Sequence, residues 1–402
     1  MAVFRAAWVL PIAAPPIRDG WVAVERGVIT GLGGDPPASS VDCGRVAVLP
    51  ALVNAHTHLE LSWLRGAVPP ADRFVDWIRA VVAARRRYPD PRDAAIVGAA
   101  RAAIDAARAS GTGLIGDISN TLVTAPLLDE ARMPARVFYE LLGFNAPDPV
   151  DRVRRARADV DEARRAAPGV RIGLAAHAPY SVSPALFAAI REDIDAHDGD
   201  VSSVHLGESP EEGEFIARGS GPWRDLLVEL GAWTDLWRPG GGSPVAYLSD
   251  MGFLDSRVLA VHGVQCSGGD LARLRALGTT IVSCPRSNRH VGVGDPPLEA
   301  FYATGVAVAF GTDSLSSVAD LNMFAELAAA RRVAPRVPAR DLLESATRAG
   351  ARALGFGDWF GSIESGKRAS LIAVRLPAGL GDVEEYLVGG VAPDAVRWLD
   401  AE

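Results

Sequence analysis

Leu49-Pro-Ala-Leu-Val-Asn-Ala-His-Thr-His58 is an apolar run that closes on two histidines spaced i, i+2. On a β-strand that spacing turns both imidazoles to one face. The run opens a pattern. Eight short apolar stretches, rich in β-branched residues, each end in polar residues and lead into a helical segment: 46–56, 112–120, 136–144, 171–179, 201–208, 257–265, 279–286 and 305–313. Near-continuous apolar strands alternating with helices imply a parallel sheet covered by helices. Eight such units in about 270 residues predict an α/β fold, the (β/α)8 TIM barrel.

The flanks read differently. Residues 1–49 are short strands, and strand-like text returns at 369–376 among Gly/Pro turns. Both ends are expected to join in a small β-sandwich domain (1–49 with 359–402) beside a barrel over 50–358. Residues 6–14 follow Arg5 in the manner of a short secretory apolar core. The β-like run 21–29 just after them makes a hairpin the preferred reading.

Composition narrows the function. With 402 residues, 49% hydrophobic and 22% charged, the chain is globular rather than disordered. Its net charge, 41 − 49 = −8, argues against nucleic acid and anionic membrane as partners. No apolar run approaches 18 residues, so no membrane span is expected. Cys43, Cys266 and Cys284 are widely spaced and form no CxxC pair, which fits a reducing cytoplasm. Of the 41 basic residues, only Lys367 is lysine. Gly366-Lys367-Arg368 is not a phosphate-binding Gly-Lys-Ser/Thr, and a Schiff-base enzyme would have to use this one turn residue.

The chemistry of a barrel sits at the C-terminal ends of its strands. Those ends carry His56 and His58, Asp117, Glu140, His177, His205 with Glu208 beyond it, His262, then Arg286-Ser287-Asn288, and finally Asp313. Five of the seven histidines fall there, far more than chance placement gives. His56, His58 and His205 with Asp313 make an N3O donor set, which suits one divalent ion: zinc, with ferrous iron as the alternative.

The first-strand segment ending at His58 resembles that of the amidohydrolase superfamily. His205-Leu-Gly-Glu208 is similar to the fifth-strand H-x-x-E of its deaminase branch. Val261-His262 and Gly311-Thr-Asp313-Ser314 resemble its sixth- and eighth-strand signatures. The resemblance covers essentially the whole chain. Binuclear members bridge two metals with a carboxylated lysine, and this barrel has none, so one metal is implied. Hydrolytic deamination of an aminated heterocycle follows, with Glu208 protonating the ring nitrogen. His262 is then expected to hold the attacking water, and Asp313 to take its proton while serving as a ligand. The unrelated zinc deaminases need H-x-E with P-C-x-x-C; His58-Leu-Glu60 stands alone.

Ala176-His-Ala-Pro-Tyr180 resembles the fourth strand of S-adenosylhomocysteine and methylthioadenosine deaminases, where the histidine, here His177, contacts the nucleoside. Phe74-Val-Asp-Trp-Ile78 and Cys284-Pro-Arg-Ser-Asn288 look like aminodeoxyfutalosine deaminases of the alternative menaquinone pathway. That substrate carries a benzoate-type carboxylate on an adenosine. Arg286 could pair with it bidentately, although in so arginine-rich a chain an arginine near the pocket is expected by count alone. Asn288 is a second candidate contact, and it equally suits the turn that closes the strand. The expected substrate is therefore a small 5′-modified adenosine, 6-amino-6-deoxyfutalosine first. Adenosine, its methylthio and homocysteine derivatives, another aminoheterocycle or a chlorinated heteroaromatic are the alternatives. A homodimer stays open, and a non-catalytic scaffold is the remote contrast.

Overall fold

A computed structural model describes residues 1–399; the last three positions of the segment 359–402 lie outside the described residues. The eight expected strands are present as β6 (Leu52–Thr57), β7 (Thr112–Ser119), β8 (Ala135–Leu141), β9 (Arg171–Ala176), β10 (Ser202–Leu206), β11 (Val258–His262), β12 (Thr280–Ser283) and β13 (Val308–Phe310). They pair in parallel as two four-stranded runs, β6 to β9 and β10 to β13. The runs meet at two seams. Across the first, the His205 N–H donates to the His177 carbonyl (2.8 Å), and across the second the Asp313 N–H donates to that of His56 (3.0 Å). Gly311 permits the second seam: a Cβ there would stand 2.7 Å from the His56 oxygen. The result is a (β/α)8 barrel.

Burial on both faces explains why these strands read as continuous apolar runs. Val53, Ala55, Leu114, Ile118, Phe138 and Val261 belong to one interior cluster. Alternate residues such as Leu52, Ile115, Val137 and Ile172 pack with the helices in a second cluster. Against β7, the register of β6 slips between Asn54 and Thr57. This bulge lets the consecutive residues Ala55 and His56 both enter the interior.

The chain ends form β1 (Ala2–Val9), β2 (Ile17–Glu25), β3 (Val28–Gly33), β4 (Val41–Asp42), β5 (Val46–Pro50), β14 (Leu371–Arg375) and β15 (Val396–Trp398). They are hydrogen-bonded as a single sheet, in the order β15-β14-β5-β1-β2-β3 with β4 on β1, rather than as two separate ones. This sheet has an apolar cluster of its own. Two expected runs divide here. The run 46–56 breaks after Pro50, which has no N–H to continue a ladder; β5 stays with β14 and β1, and only β6 enters the barrel. The run 21–29 breaks at Arg26-Gly27, where both residues have positive φ (51° and 73°), a two-residue hairpin turn between β2 and β3. Among the described residues no helix is long and apolar enough to cross a membrane.

Candidate active site

His56, His58 and His205 each bring one ring nitrogen within 4.8 Å of the others. Asp313 Oδ1 lies 3.7 Å from His56 Nε2 and 3.4 Å from His58 Nε2. Two of the four donors, His205 and Asp313, are aimed from behind. His205 Nδ1–H donates to the His177 carbonyl (3.0 Å), leaving Nε2 as the bare nitrogen. Ser287 Oγ donates to Asp313 Oδ2 (2.6 Å), leaving Oδ1 toward the histidines. Asp117 accepts from the Leu59 N–H (2.8 Å) and from Thr124 Oγ1 (2.6 Å), pinning the turn just after His58. Burial, then the neighbouring imidazoles, push His58 down to about 3 and His205 well below its ordinary range. Both rings are therefore neutral lone-pair donors at neutral pH. Both nitrogens of His56 are buried with no hydrogen-bond partner among the described residues. Such groups are costly to bury unless something binds them, so the N3O set fits a divalent metal ion.

His262 and Asp313 are both in the left-handed region, with φ of 78° and 60°. For residues other than glycine this costs about 1–3 kcal/mol each and concentrates at functional sites. At His262 the turn departs from the strand alternation set by Val261. Its Nε2 then stands 3.5 Å from Glu208 Oε1. Burial, with Asp313 and Glu212 adding to it, raises the Glu208 carboxyl well above its ordinary range and so favours its protonated form. Its loop is fixed by Glu212, whose two carboxylate oxygens accept from the N–H groups of Gly207 (3.0 Å) and Glu208 (2.9 Å). Glu140 lies behind His205, with Oε1 3.4 Å from Nδ1, and burial lifts its carboxyl to about 7.

The cavity over these groups is lined by His58, His177, His205, Glu208, His262 and Asp313. His177 is one of these lining residues; its Nδ1 meets Ser181 Oγ at 2.6 Å, and burial followed by Arg85 lowers it to about 4. Asn288 does not line the cavity. It is fully buried behind His262, whose Nδ1 it meets through Oδ1 at 2.9 Å. Arg286 is not among the residues that line the cavity. Its Nε donates to the buried Glu326 (2.5 Å), Nη1 to Asp320 Oδ1 and Nη2 to the Asp320 carbonyl (both 2.8 Å). A buried carboxylate is costly without a counter-ion, and Arg286 supplies one to Glu326.

Sequence reasoning missed Glu212, Glu60 and Arg85. Glu60 accepts from Ser119 Oγ (2.8 Å), Thr121 Oγ1 (2.8 Å) and the Asn120 N–H (3.2 Å). It also holds Arg85 Nη2 at 3.1 Å, and Arg85 lines the cavity. The only signal for Arg85 is its place at the end of an apolar stripe with helical spacing from Phe74 onward, which does not mark out one arginine in so arginine-rich a chain.

A sequence model of the amidohydrolase family matches residues 47–394. The chain belongs to the amidohydrolase family. This amidohydrolase is 35% identical over 333 residues to an aminodeoxyfutalosine deaminase of Deinococcus radiodurans, covering 80% of this chain and 76% of that protein. It is 30% identical over 430 residues to a 5-methylthioadenosine/S-adenosylhomocysteine deaminase of Moorella thermoacetica, covering 98% and 95%. Among solved structures, an adenosine deaminase of Xanthomonas campestris with bound zinc superposes with a TM-score of 0.83 at 28% identity, covering 98% of this chain and 90% of that one. The amidohydrolase described here is accordingly a hydrolase of the class that acts on C–N bonds in cyclic amidines.

Proposed function

We propose that this amidohydrolase deaminates a 5′-modified adenosine by hydrolysis, with 6-amino-6-deoxyfutalosine as its substrate and zinc as its metal. The observation that carries the deaminase reading is the buried Glu208 carboxyl, 3.5 Å from His262 at the edge of an N3O donor set, with burial favouring its acid form. An amide needs no such acid. An aromatic amidine does, because attack at the amino-bearing carbon puts negative charge on the ring unless the adjacent nitrogen is protonated. The substrate is supported by the 35% identical aminodeoxyfutalosine deaminase and the metal by the zinc-bound neighbour.

A metal held by His56, His58, His205 and Asp313 supplies a Lewis acid that makes water a nucleophile near neutrality. The protein supplies the proton traffic. Glu208 gives its proton to the ring nitrogen beside the amino-bearing carbon. His262, through its bare Nε2, orients the attacking water. Asp313 accepts one proton from that water as the C–O bond forms and hands it to the amine, which leaves as ammonia when the C–N bond breaks. The proton remaining on the new hydroxyl returns to Glu208 as the ring carbonyl forms, and the ring nitrogen keeps the one it received. The proposed role of His177, supported by its position on the cavity wall, is contact with the nucleoside.

The test is ammonia release by the zinc-loaded protein from adenosine, 5′-methylthioadenosine, S-adenosylhomocysteine and aminodeoxyfutalosine. The highest kcat/KM is expected for aminodeoxyfutalosine. A preference for another of the four overturns the substrate, and ammonia from none of them overturns the reaction.

A further inference from the structure

One wall of the cavity is a single helix face. Phe74, Trp77, Ile78, Val81, Val82 and Arg85 all line it, and they are spaced three and four apart along the helix Phe74–Arg85. That spacing makes one continuous stripe. Five members are apolar, and the sixth, at the last residue of the helix, is a cation. From Ile78 to Arg85 the stripe runs about 10 Å, at 1.5 Å rise per residue. Among the residues lining the cavity Arg85 is the only lysine or arginine.

Arg85 is mounted rigidly. Nη2 donates to Glu60 Oε1 (3.1 Å) and Nη1 to Asn120 Oδ1 (2.9 Å). Asn120 Nδ2 in turn donates to Glu140 Oε2 (2.9 Å), the carboxylate behind His205. A guanidinium has five N–H groups. Two are used in these bonds, and the side chain remains 38% exposed. A fixed fork with unspent donors is suited to a planar carboxylate. Trp77 adds an indole N–H that is buried with no partner among the described residues.

We infer that Arg85 determines specificity for the substrate's 5′ arm, which is an apolar spacer ending in a carboxylate; this rests on the adenosine-deaminase reading above. A short uncharged arm would cover the apolar stripe and leave the free N–H groups of Arg85 unanswered. An amino-acid arm would bring its ammonium against apolar side chains and beside a like charge, both unfavourable.

The test compares a nucleoside bearing a 5′ aryl-carboxylate arm with its methyl ester, in the zinc-loaded wild type, Arg85→Met and Arg85→Lys. Both kcat/KM for ammonia release and the Kd of the corresponding hypoxanthine products, read by calorimetry, are measured. The wild type should favour acid over ester by about 10- to 100-fold, the size of a charge-assisted hydrogen-bond pair. In Arg85→Met the ratio should fall to about 1, and Arg85→Lys should keep an intermediate preference because the charge remains on a folded framework. An unchanged ratio in Arg85→Met, or no acid preference in the wild type, overturns the inference. The two failures separate: Arg85-dependent binding of the acid without ammonia release from any nucleoside would overturn the reaction and leave the role of Arg85 standing.

Discussion

The Asn288 amide oxygen lies 2.9 Å from Nδ1 of His262, and this one bond decides which imidazole nitrogen faces the cavity. An amide oxygen only accepts, so Nδ1 carries the proton and Nε2 is bare toward Glu208. Asn288 is thus a positioning residue for His262. Asn288→Ala should lower kcat/KM by about 10- to 100-fold, the scale of orienting partners around a site, with metal content unchanged. Loss of metal in this variant, measured by elemental analysis, would contradict the assignment.

Glu208→Gln should retain its metal and lose deamination by about 100-fold or more, as expected for an acid–base group. The pH dependence has a definite sign. A carboxyl whose pKa is raised by burial keeps its proton to higher pH than an ordinary one, so activity that needs the acid form falls as pH climbs through that raised pKa. The alkaline limb of the kcat/KM profile should vanish in Glu208→Gln. Wild-type turnover in this variant would refute the assigned role.

His205→Ala should bind metal poorly, since a carboxylate and two imidazoles replace the N3O set. Chelation of the wild type should lower Tm, because an ion bound only by the folded state stabilises it by mass action. Elemental analysis and thermal melting check both. About one ion per chain in His205→Ala would remove it from the ligand set.

Arg286→Ala is expected to act on stability. It leaves Glu326, fully buried, without its counter-ion. Breaking a buried pair from one side costs about 3–5 kcal/mol. Urea denaturation should report a loss of that size, and the acid-to-ester preference should remain. A lost preference with unchanged stability would return Arg286 to the substrate.

The barrel strands were legible because burial on both faces leaves continuous apolar runs, and such runs need no partner to be read. The junctions were less so. Residues 46–56 form one apolar run, yet Pro50 ends one ladder and the next residues begin another, because two sheets compete for the same stretch. The histidines at the strand ends were legible for a related reason: the C-terminal face of a barrel gathers whatever polar groups end its strands. Arg85 was not, because it lies eleven positions along a helix from Phe74, in a chain crowded with arginines.

By itself the sequence determined the donor inventory: three imidazoles, an aspartate and an H-x-x-E glutamate, with no lysine on the barrel to bridge a second metal. Only the tertiary structure decided how its many arginines divide. Arg286 pairs with a buried glutamate away from the cavity lining, while Arg85 stands on a helix end in that lining with N–H groups to spare. Composition counts charges, but whether a charge is available depends on what the fold buries beside it.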